Sequence, residues 1–177
     1  MTGAVETAQP AGKTTRWGVR AYILAAVIVV LDQLSKYWIL SVLRLPEQQA
    51  HEVLWPLQFT RIWNEGVSFG LLQAQHDVVR WGLVVFSLGV AALLAAWARS
   101  QTRLLPALGL GLVIGGAIGN AIDRARFGAV VDFIDVQRLG FFPWIFNVAD
   151  SGITVGVILL LLDSLRRERP VEGETAR

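Results

Sequence analysis

The stretch GGAIGNAIDR, Gly115–Arg124, ends a long apolar run and brings three polar side chains close together at its end. The run begins at Leu104 and reads LLPALGLGLVIGGAIGN, a composition typical of a membrane-spanning helix. Asn120, Asp123 and Arg124 then follow within five positions. Because charged and amide side chains are costly in hydrocarbon, this ending indicates either a simple span terminus or a functional site at the bilayer surface.

The composition of the whole chain favours a membrane protein. Of 177 residues, 54% are hydrophobic and 17% are charged, and the mean hydropathy is +0.50, which is too apolar for an ordinary soluble domain. The chain has no cysteine and two isolated histidines. It therefore has no thiol nucleophile, and it has too few histidines to favour a serine–histidine or a zinc mechanism. The net charge of +2 gives no reason to expect a nucleic-acid partner. We expect no cofactor and no metal site.

Four segments are long and apolar enough to cross a bilayer, which takes about 20 residues. They are residues 19–43, 78–98, 104–122 and 141–162. The first segment leads into DQLSKYWIL rather than into a small-residue cleavage site, so it is interpreted as a retained anchor and not as a signal peptide. The predicted fold class is therefore an all-α polytopic membrane protein, one membrane domain over residues 1–177. It has four transmembrane helices and a small extracytoplasmic β-like segment.

Basic residues predict the orientation of the four spans. Nine of the sixteen lysines and arginines lie before the first span, between the second and third, or after the fourth. They are Lys13, Arg16, Arg20, Arg99, Arg103, Arg166, Arg167, Arg169 and Arg177. The positive-inside rule places these regions in the cytoplasm. Both termini are then cytoplasmic, with a disordered leader over residues 1–17 and a tail over residues 166–177.

The two remaining segments, residues 44–77 and 123–140, are predicted to lie on the outer side. The first contains LQFTRIWNEGVSFGLL, in which β-branched and aromatic residues surround Asn-Glu-Gly, a pattern typical of short strands. The second contains AVVDFIDVQRLGFF, which is strand-like or interfacial. Tryptophans in or beside both segments favour a position at the membrane surface.

The predicted topology brings the polar residues of the spans to one depth. The first and third helices run outward and the fourth runs inward, so these residues meet at the outer boundary of the bilayer. They are Asp32, Lys36, Asn120, Asp123, Arg124, Asp132, Asn147 and Asp150. Several costly groups at a single depth are hard to explain by packing and indicate a functional site. Gly111, Gly115 and Gly119, spaced by four, allow a close helix approach that brings the site together.

Each residue also has a structural interpretation when it is taken alone. Asp32 and Lys36 stand at i and i+4 on a helix and can simply pair. Asp150 lies in the first turn of a helix, where a carboxylate favours the helix dipole. Arg124 can extend along the helix to the polar interface. The functional interpretation rests on the whole set.

Two carboxylates held near each other cannot both ionise at low cost, so the pKa of one rises. The ionised partner can then activate a water while the protonated one acts as an acid, which is the chemistry of an aspartic peptidase. Spacing does not select the pair. The candidates are Asp32, Asp123, Asp132, Asp135 and Asp150. The alternatives are a magnesium-dependent membrane phosphoalcohol transferase, a small carrier and a non-enzymatic membrane scaffold.

Five blocks, in this order, make the chain resemble a known family. They are DQLSK (32–36), NEGVSFG (64–70), GGAIGNAIDR (115–124), VVDFIDV (130–136) and FNVADSGI (146–153). They are similar to the blocks of the bacterial lipoprotein signal peptidases, also called signal peptidase II. Ser68 stands where that family usually has alanine.

The resemblance implies an aspartic endopeptidase of the bacterial inner membrane. It implies that prolipoproteins are cut before a diacylglyceryl-modified cysteine, with Asp132 and Asp150 as the catalytic pair. Eight other residues would bind substrate or support the site. They are Asp32, Lys36, Asn64, Gly66, Asn120, Asp123, Arg124 and Asn147. We further expect a monomer in contact with membrane lipids, with its active site near the surface of the outer leaflet.

Overall fold

The structure is a computed structural model that describes residues 13–66 and 76–167. Its helices are α1 (Arg16–Tyr37), α2 (His76–Ala98), α3 (Leu104–Phe127) and α4 (Val148–Arg167), and a π-helical turn over Trp38–Val42 extends α1. Its strands are β1 (Ala50–Leu54), β2 (Leu57–Asn64), β3 (Val130–Asp135) and β4 (Ile145–Phe146), with a short 3₁₀ helix at Gln137–Leu139. All four helices are long and apolar enough to cross a membrane. The predicted fold class is thus confirmed.

Some expectations from the sequence concern residues outside this range. Most of the predicted leader, Ser68 with the rest of the 67–75 segment, and the tail beyond residue 167 lie outside the described residues. The helix α1 starts at Arg16, so the last two residues of the predicted leader are helical.

The helix α3 lies at the centre of the bundle. In its most apolar stretch 67% of the residues are buried, against 11–22% in the other three helices. Those three helices expose many large apolar side chains, such as Val27, Phe86 and Leu161. Because exposed apolar side chains are suited to lipid contact, α1, α2 and α4 form the surface that faces lipid. The central position of α3 lets one helix contribute side chains to a site that the others surround.

Small residues on α3 let α1 approach at backbone distance. A Cβ atom added at Gly111 would lie 2.6 Å from the carbonyl oxygen of Ala21, and one at Gly115 would lie 2.7 Å from that of Ala25. Both distances are below van der Waals contact, so α3 has no room for a side chain at these positions. The small-residue spacing seen in the sequence therefore corresponds to a tight α1–α3 interface.

Hydrogen bonds join the helices at the end of the bundle that the sequence predicts to be cytoplasmic, which we call the inner end; the opposite end is called the outer end. Thr15 caps α1 by accepting from the backbone nitrogen of Gly18 at 3.0 Å, and its hydroxyl donates to the carbonyl of Gln101 at 2.5 Å. The guanidinium of Arg103 pairs with Asp163 of α4 at 2.6 Å. The start of α1, the α2–α3 link and the last turns of α4 therefore lie at the same end of the bundle.

The outer end of α3 is held by α2. Arg80 donates to the carbonyls of Arg124 and Ala125 at 2.8 and 2.7 Å. The carbonyl of Ala125 belongs to the last turn of the helix, where intrahelical donors run out, and the carbonyl of Arg124 also accepts from the backbone nitrogen of Gly128 at 3.0 Å. Arg80 thereby fixes the end of α3 that carries the polar residues.

The four strands form one antiparallel sheet in the order β1-β2-β3-β4. Its apolar side packs on the end of α1 through a small core of Ile39, Leu45 and Phe133. In the β2–β3 register, Ile62 lies opposite Asp132 and Asn64 lies opposite Val130. The sheet therefore places Asp132 beside the end of β2 and close to the outer ends of the helices.

We expect Gly111→Ala to destabilise the protein by about 1–3 kcal/mol, because the new methyl group would overlap the backbone of α1. Gly89→Ala in α2 is the matched control, since no atom lies within 4 Å of a Cβ added there. In the control, the higher helix propensity of alanine should leave stability unchanged or raise it. The measurement is thermal unfolding in detergent. Equal unfolding temperatures for the two variants would contradict the tight interface.

Candidate functional site

A buried lysine lies between two buried aspartates at the outer end of the bundle. The ammonium of Lys36 is 2.8 Å from Asp32 and 2.7 Å from Asp123, and all three side chains are at most 3% exposed. Lys36 and Asp32 come from α1, and Asp123 comes from the last two turns of α3. Because an unpaired ion is costly in a low-dielectric interior, each of these charges requires the others.

Both aspartates of this cluster also bind backbone amides of other elements. Asp32 accepts from the nitrogen of Ala149 at 3.0 Å, and Asp123 accepts from the nitrogen of Val131 at 3.1 Å. Ala149 directly precedes Asp150, and Val131 directly precedes Asp132. The charged cluster thus fixes the backbone on the amino-terminal side of each of these two carboxylates.

Gln33 is a member of the cluster that the sequence analysis did not identify. Its side-chain nitrogen donates to Asp123 at 2.9 Å and lies 3.2 Å from Asp32. The available signal was its position inside DQLSK, between two residues that were identified. An amide within an apolar span needs a partner, and that requirement would have pointed to it.

Close approach at Gly119 makes room for the cluster. A Cβ atom added there would lie 2.7 Å from a carboxylate oxygen of Asp32. The third glycine of the spaced set thus faces a polar group, whereas Gly111 and Gly115 face the backbone of α1. Any side chain at this position would push Asp32 away from its partners.

Asp132 binds two neutral amides and is almost fully buried. Asn147 donates to one carboxylate oxygen at 2.6 Å, and Asn64 donates to the other at 3.0 Å. Burial raises the pKa of Asp132 to about 6, and the nearby charge of Asp150 contributes to the rise. The hydrogen bonds from the two amides oppose this shift by stabilising the charged form.

Asn120 and Asn147 connect Asp132 with Asp150, the two aspartates that directly follow Val131 and Ala149. Asn120 donates to Asp150 at 2.8 Å, and Asn147 donates both to Asp132 and to the side-chain oxygen of Asn120, the latter at 3.2 Å. Lys36 also reaches that oxygen of Asn120, at 3.2 Å. One continuous network therefore joins Asp132, Asp150 and the charged cluster.

Asp150 and Asn147 cap the start of α4 reciprocally. The backbone nitrogen of Asp150 donates to the side chain of Asn147 at 2.9 Å, and the backbone nitrogen of Asn147 lies 3.3 Å from the carboxylate of Asp150. This arrangement is a capping box. Asp150 is therefore both a helix-cap residue and a member of the hydrogen-bond network.

Asp135 belongs to a different part of the sheet. It lies three positions after Asp132 on β3, and because side chains alternate along a strand, the two point to opposite faces. Asp135 accepts from Gln58 and Thr60, each at 2.7 Å, and from the backbone nitrogen of Gln137 at 2.9 Å.

The ionisation of Asp135 reflects these contacts. Burial opposes its charge, but the three hydrogen bonds and the nearby Arg138 guanidinium outweigh burial and lower its pKa. The charged form of Asp135 therefore stabilises the fold at neutral pH. That contribution is lost as the pH falls through its lowered pKa.

Arg124 and Gly66 lie together at the edge of the site. Gly66 has a left-handed backbone with φ of 83°, and a Cβ atom added there would lie 3.5 Å from a terminal nitrogen of Arg124. The Nε atom of Arg124 is buried and has no hydrogen-bond partner within residues 13–66 and 76–167. The structure thus brings all ten residues singled out in the sequence to the same end of the molecule.

A cleft of about 430 Å³, which we call the outer cleft, opens beside Asp132. One wall comes from the end of β2 and the turn after it, and the other comes from the chain between β3 and β4. Its lining residues are Ile62, Trp63, Asn64, Glu65, Gly66, Asp132, Gln137, Pro143, Trp144 and Ile145. Asp132 therefore borders the cleft, although its side chain is almost fully buried.

The carboxylates do not form a metal centre within the described part of the chain. No group of three or more histidine or acidic side chains there is placed to hold a metal ion. Asp32 and Asp123 are paired with Lys36, and the side chains of Asp132 and Asp150 accept from asparagine amides.

Comparison with known proteins gives consistent results. The family model described as Signal peptidase (SPase) II matches residues 24–166. A lipoprotein signal peptidase of Caulobacter vibrioides is 54% identical over 160 residues, which cover 90% of this chain and 94% of the relative. A lipoprotein signal peptidase of Methylobacterium radiotolerans is 43% identical over 164 residues, with coverage of 89% and 96%.

A solved structure has the same fold. It is a bacterial membrane enzyme determined by the in meso method at 2.3 Å resolution, and it superposes with a TM-score of 0.74 at 29% sequence identity. The match covers 93% of this chain and 98% of that one.

We expect Lys36→Met to lower the free energy of unfolding by about 3–5 kcal/mol, because it leaves Asp32 and Asp123 buried without a counter-ion. The control is Arg103→Met, which breaks an ion pair whose arginine is half exposed and should change stability by about 1 kcal/mol or less. Denaturant titration in detergent micelles measures both. A loss for Lys36→Met no larger than for the control would show that the cluster is not the main support of the site.

Proposed function

The chain belongs to the signal peptidase II family, whose members are proteases that remove signal peptides from prolipoproteins in the bacterial inner membrane, and we propose that Asp132 and Asp150 are its catalytic pair. This premise favours the peptidase over the transferase, carrier and scaffold alternatives. The observation that carries the proposal is that Asp132 and Asp150 are linked through Asn147 and Asn120 beside an open cleft.

The other candidate aspartates support this choice, because each is already bound to partners outside the proposed pair. Asp32 and Asp123 are both paired with Lys36 and bind backbone amides, so neither is available to activate a water. Asp135 faces the other side of the sheet and accepts three hydrogen bonds. This leaves Asp132 and Asp150, whose side chains accept from asparagine amides.

In the proposed reaction, Asp132 is the acid and Asp150 is the base. Burial raises the pKa of Asp132 to about 6, so Asp132 is the member of the pair that holds the shared proton. Asp150 takes a proton from a water, the water oxygen bonds to the carbonyl carbon of the scissile peptide, and Asp132 protonates the carbonyl oxygen. When the C–N bond breaks, Asp150 passes its proton to the leaving nitrogen, and a hydroxyl of the intermediate returns a proton to Asp132. The products are a signal peptide with a free carboxylate and a cysteine with a free amino group.

The proposed substrate is a prolipoprotein cut before its diacylglyceryl-modified cysteine. Such a substrate keeps its signal helix and its acyl chains in the bilayer, so the bond to be cut lies at the membrane surface. A pair shared between the start of a spanning helix and a strand outside the bilayer lies at a matching depth. Membrane lipids around the exposed faces of α1, α2 and α4 complete the environment.

The proposed orientation has both termini in the cytoplasm and the site near the outer leaflet. It is supported by the hydrogen bonds that join Thr15 to the α2–α3 link, which carries Arg99 and Arg103. Arg103 in turn contacts α4 near its basic end. A positive inner end and a site at the opposite end agree with the positive-inside rule. We further propose that the protein is a monomer with a single membrane domain.

We expect Asp132→Asn and Asp150→Asn each to lower cleavage of a diacylglyceryl-modified prolipoprotein by at least about 10³-fold, since each removes one member of an acid–base pair. Asp135→Asn, on the same strand as Asp132, is the matched control and should retain cleavage per folded molecule. Cleavage is followed with purified protein in detergent, with and without EDTA. Chelator should have no effect.

Either of two results would contradict the assignment. Cleavage that persists in both Asp132→Asn and Asp150→Asn would place the chemistry on other residues. Cleavage that stops with EDTA would mean that the carboxylates act through a metal ion.

The pKa of Asp132 gives a pH prediction. As Asp132, the acid, loses its proton, kcat/KM should fall above about pH 6. Asn64→Ala removes a hydrogen bond that stabilises the charged form and should therefore move this alkaline limb to higher pH. Gln58→Ala, which removes a donor to Asp135 instead, should leave the limb in place. An unchanged limb in Asn64→Ala would argue against Asp132 as the acid.

A further inference from the structure

The outer cleft continues outward from the proposed catalytic pair. Asp150 is in the first turn of a spanning helix, Asp132 is on a strand outside the spans, and the cleft borders Asp132. Its other lining residues belong to residues 62–66 and 137–145, which also lie outside the four helices. A path from Asp150 through Asp132 into the cleft therefore leads away from the bilayer.

We propose that the outer cleft binds the first residues of the mature lipoprotein, those that directly follow the modified cysteine, as a short extended segment. This inference rests on the proposed function. The signal peptide precedes the cut bond and remains in the membrane, so its residues lie on the membrane side of the pair. The chain after the cysteine must leave outward, and the cleft lies on that route.

The size and walls of the cleft suit a peptide. Its volume of about 430 Å³ falls in the range of ligand sites, about 300–1,000 Å³. Trp63 on one wall and Trp144 on the other offer broad apolar surfaces, and Gln137 and Asn64 offer amide groups. Aromatic walls with a few polar groups bind a backbone together with apolar or neutral side chains.

The walls are held in place before any ligand binds. Trp63 packs on Phe127 of α3 with ring centres 5.5 Å apart, and Trp144 packs edge-on against Phe142 at 5.4 Å. Gln137 donates to the carbonyl of Pro143 at 2.7 Å and so closes the chain between β3 and β4. A preformed site loses little entropy when it binds.

The position of β4 favours an extended ligand. This strand is the last of the sheet, so within the described residues one of its edges has no strand partner. Ile145 of β4 lines the cleft. A strand edge without a partner can pair with an extended peptide. The carboxylate of Asp132 at the floor of the cleft disfavours acidic side chains in that peptide by like charge.

The test compares two prolipoproteins that carry leucine or glycine at the second residue after the modified cysteine. The readout is the ratio of their kcat/KM values in the wild type, Trp144→Ala and Trp55→Ala. Trp144→Ala should reduce the preference for leucine by roughly threefold to tenfold, because it removes one apolar contact. Trp55, also highly exposed but in the β1–β2 turn at the far end of β2 from the cleft, is the matched control and should not change the ratio.

A second substrate pair separates this inference from the proposed function. The two substrates of this pair differ at the third residue before the cysteine, and Trp144→Ala should leave the ratio of their kcat/KM values unchanged. If the wild type cleaves no prolipoprotein, the proposed function fails. If the wild type cleaves but Trp144→Ala leaves the leucine preference unchanged, or alters the signal-side preference instead, the assignment of the outer cleft is wrong.

Discussion

An ammonium ion buried between two carboxylates is the interaction on which the outer end of this protein depends. Lys36 contacts both Asp32 and Asp123 within 2.8 Å, and none of the three is accessible to solvent to any useful extent. The cluster retains a net negative charge, which Gln33 and two backbone amides help to stabilise. Since those amides belong to β3 and α4, the cluster links this strand directly to this helix. The chemistry proposed for the site requires that these two elements keep a fixed separation.

The meeting of the polar residues at one end of the bundle could be predicted from the sequence, but their hydrogen-bond partners could not. Span lengths and basic residues predicted the direction of each helix, and this was enough to bring Asp32, Asn120 and Asp150 to the same end. The choice among the carboxylates depends on which face of a strand each occupies and which amide each accepts from. Those facts depend on the β2–β3 register, which includes an irregularity between Phe59 and Ile62. No local pattern in the sequence determines such a register.

Asp132 and Asp135 show how far surroundings change the same side chain. They are three positions apart on one strand, and both are at most 2% exposed. The pKa of Asp132 is raised to about 6 because burial outweighs two amide donors, whereas that of Asp135 is lowered because three donors and a guanidinium outweigh burial. A motif search treats the two as equivalent. Their hydrogen-bond partners separate a group that can exchange a proton near neutral pH from one that stays charged.

The reciprocal cap of α4 gives Asp150 a fixed position relative to the four helices. Its carboxylate is held by the helix start that it caps and by Asn120 of the central helix. On the proposed function, the enzyme therefore cuts a bond that lies at the depth of Asp150 in the membrane. This depth is set by the hydrophobic thickness of the enzyme's own spans. A signal helix that is too short or too long must tilt or deform the surrounding lipid to present its bond, at a cost that grows with each ångström of mismatch. Membrane thickness thereby becomes a factor in substrate choice, alongside the residues that flank the cysteine.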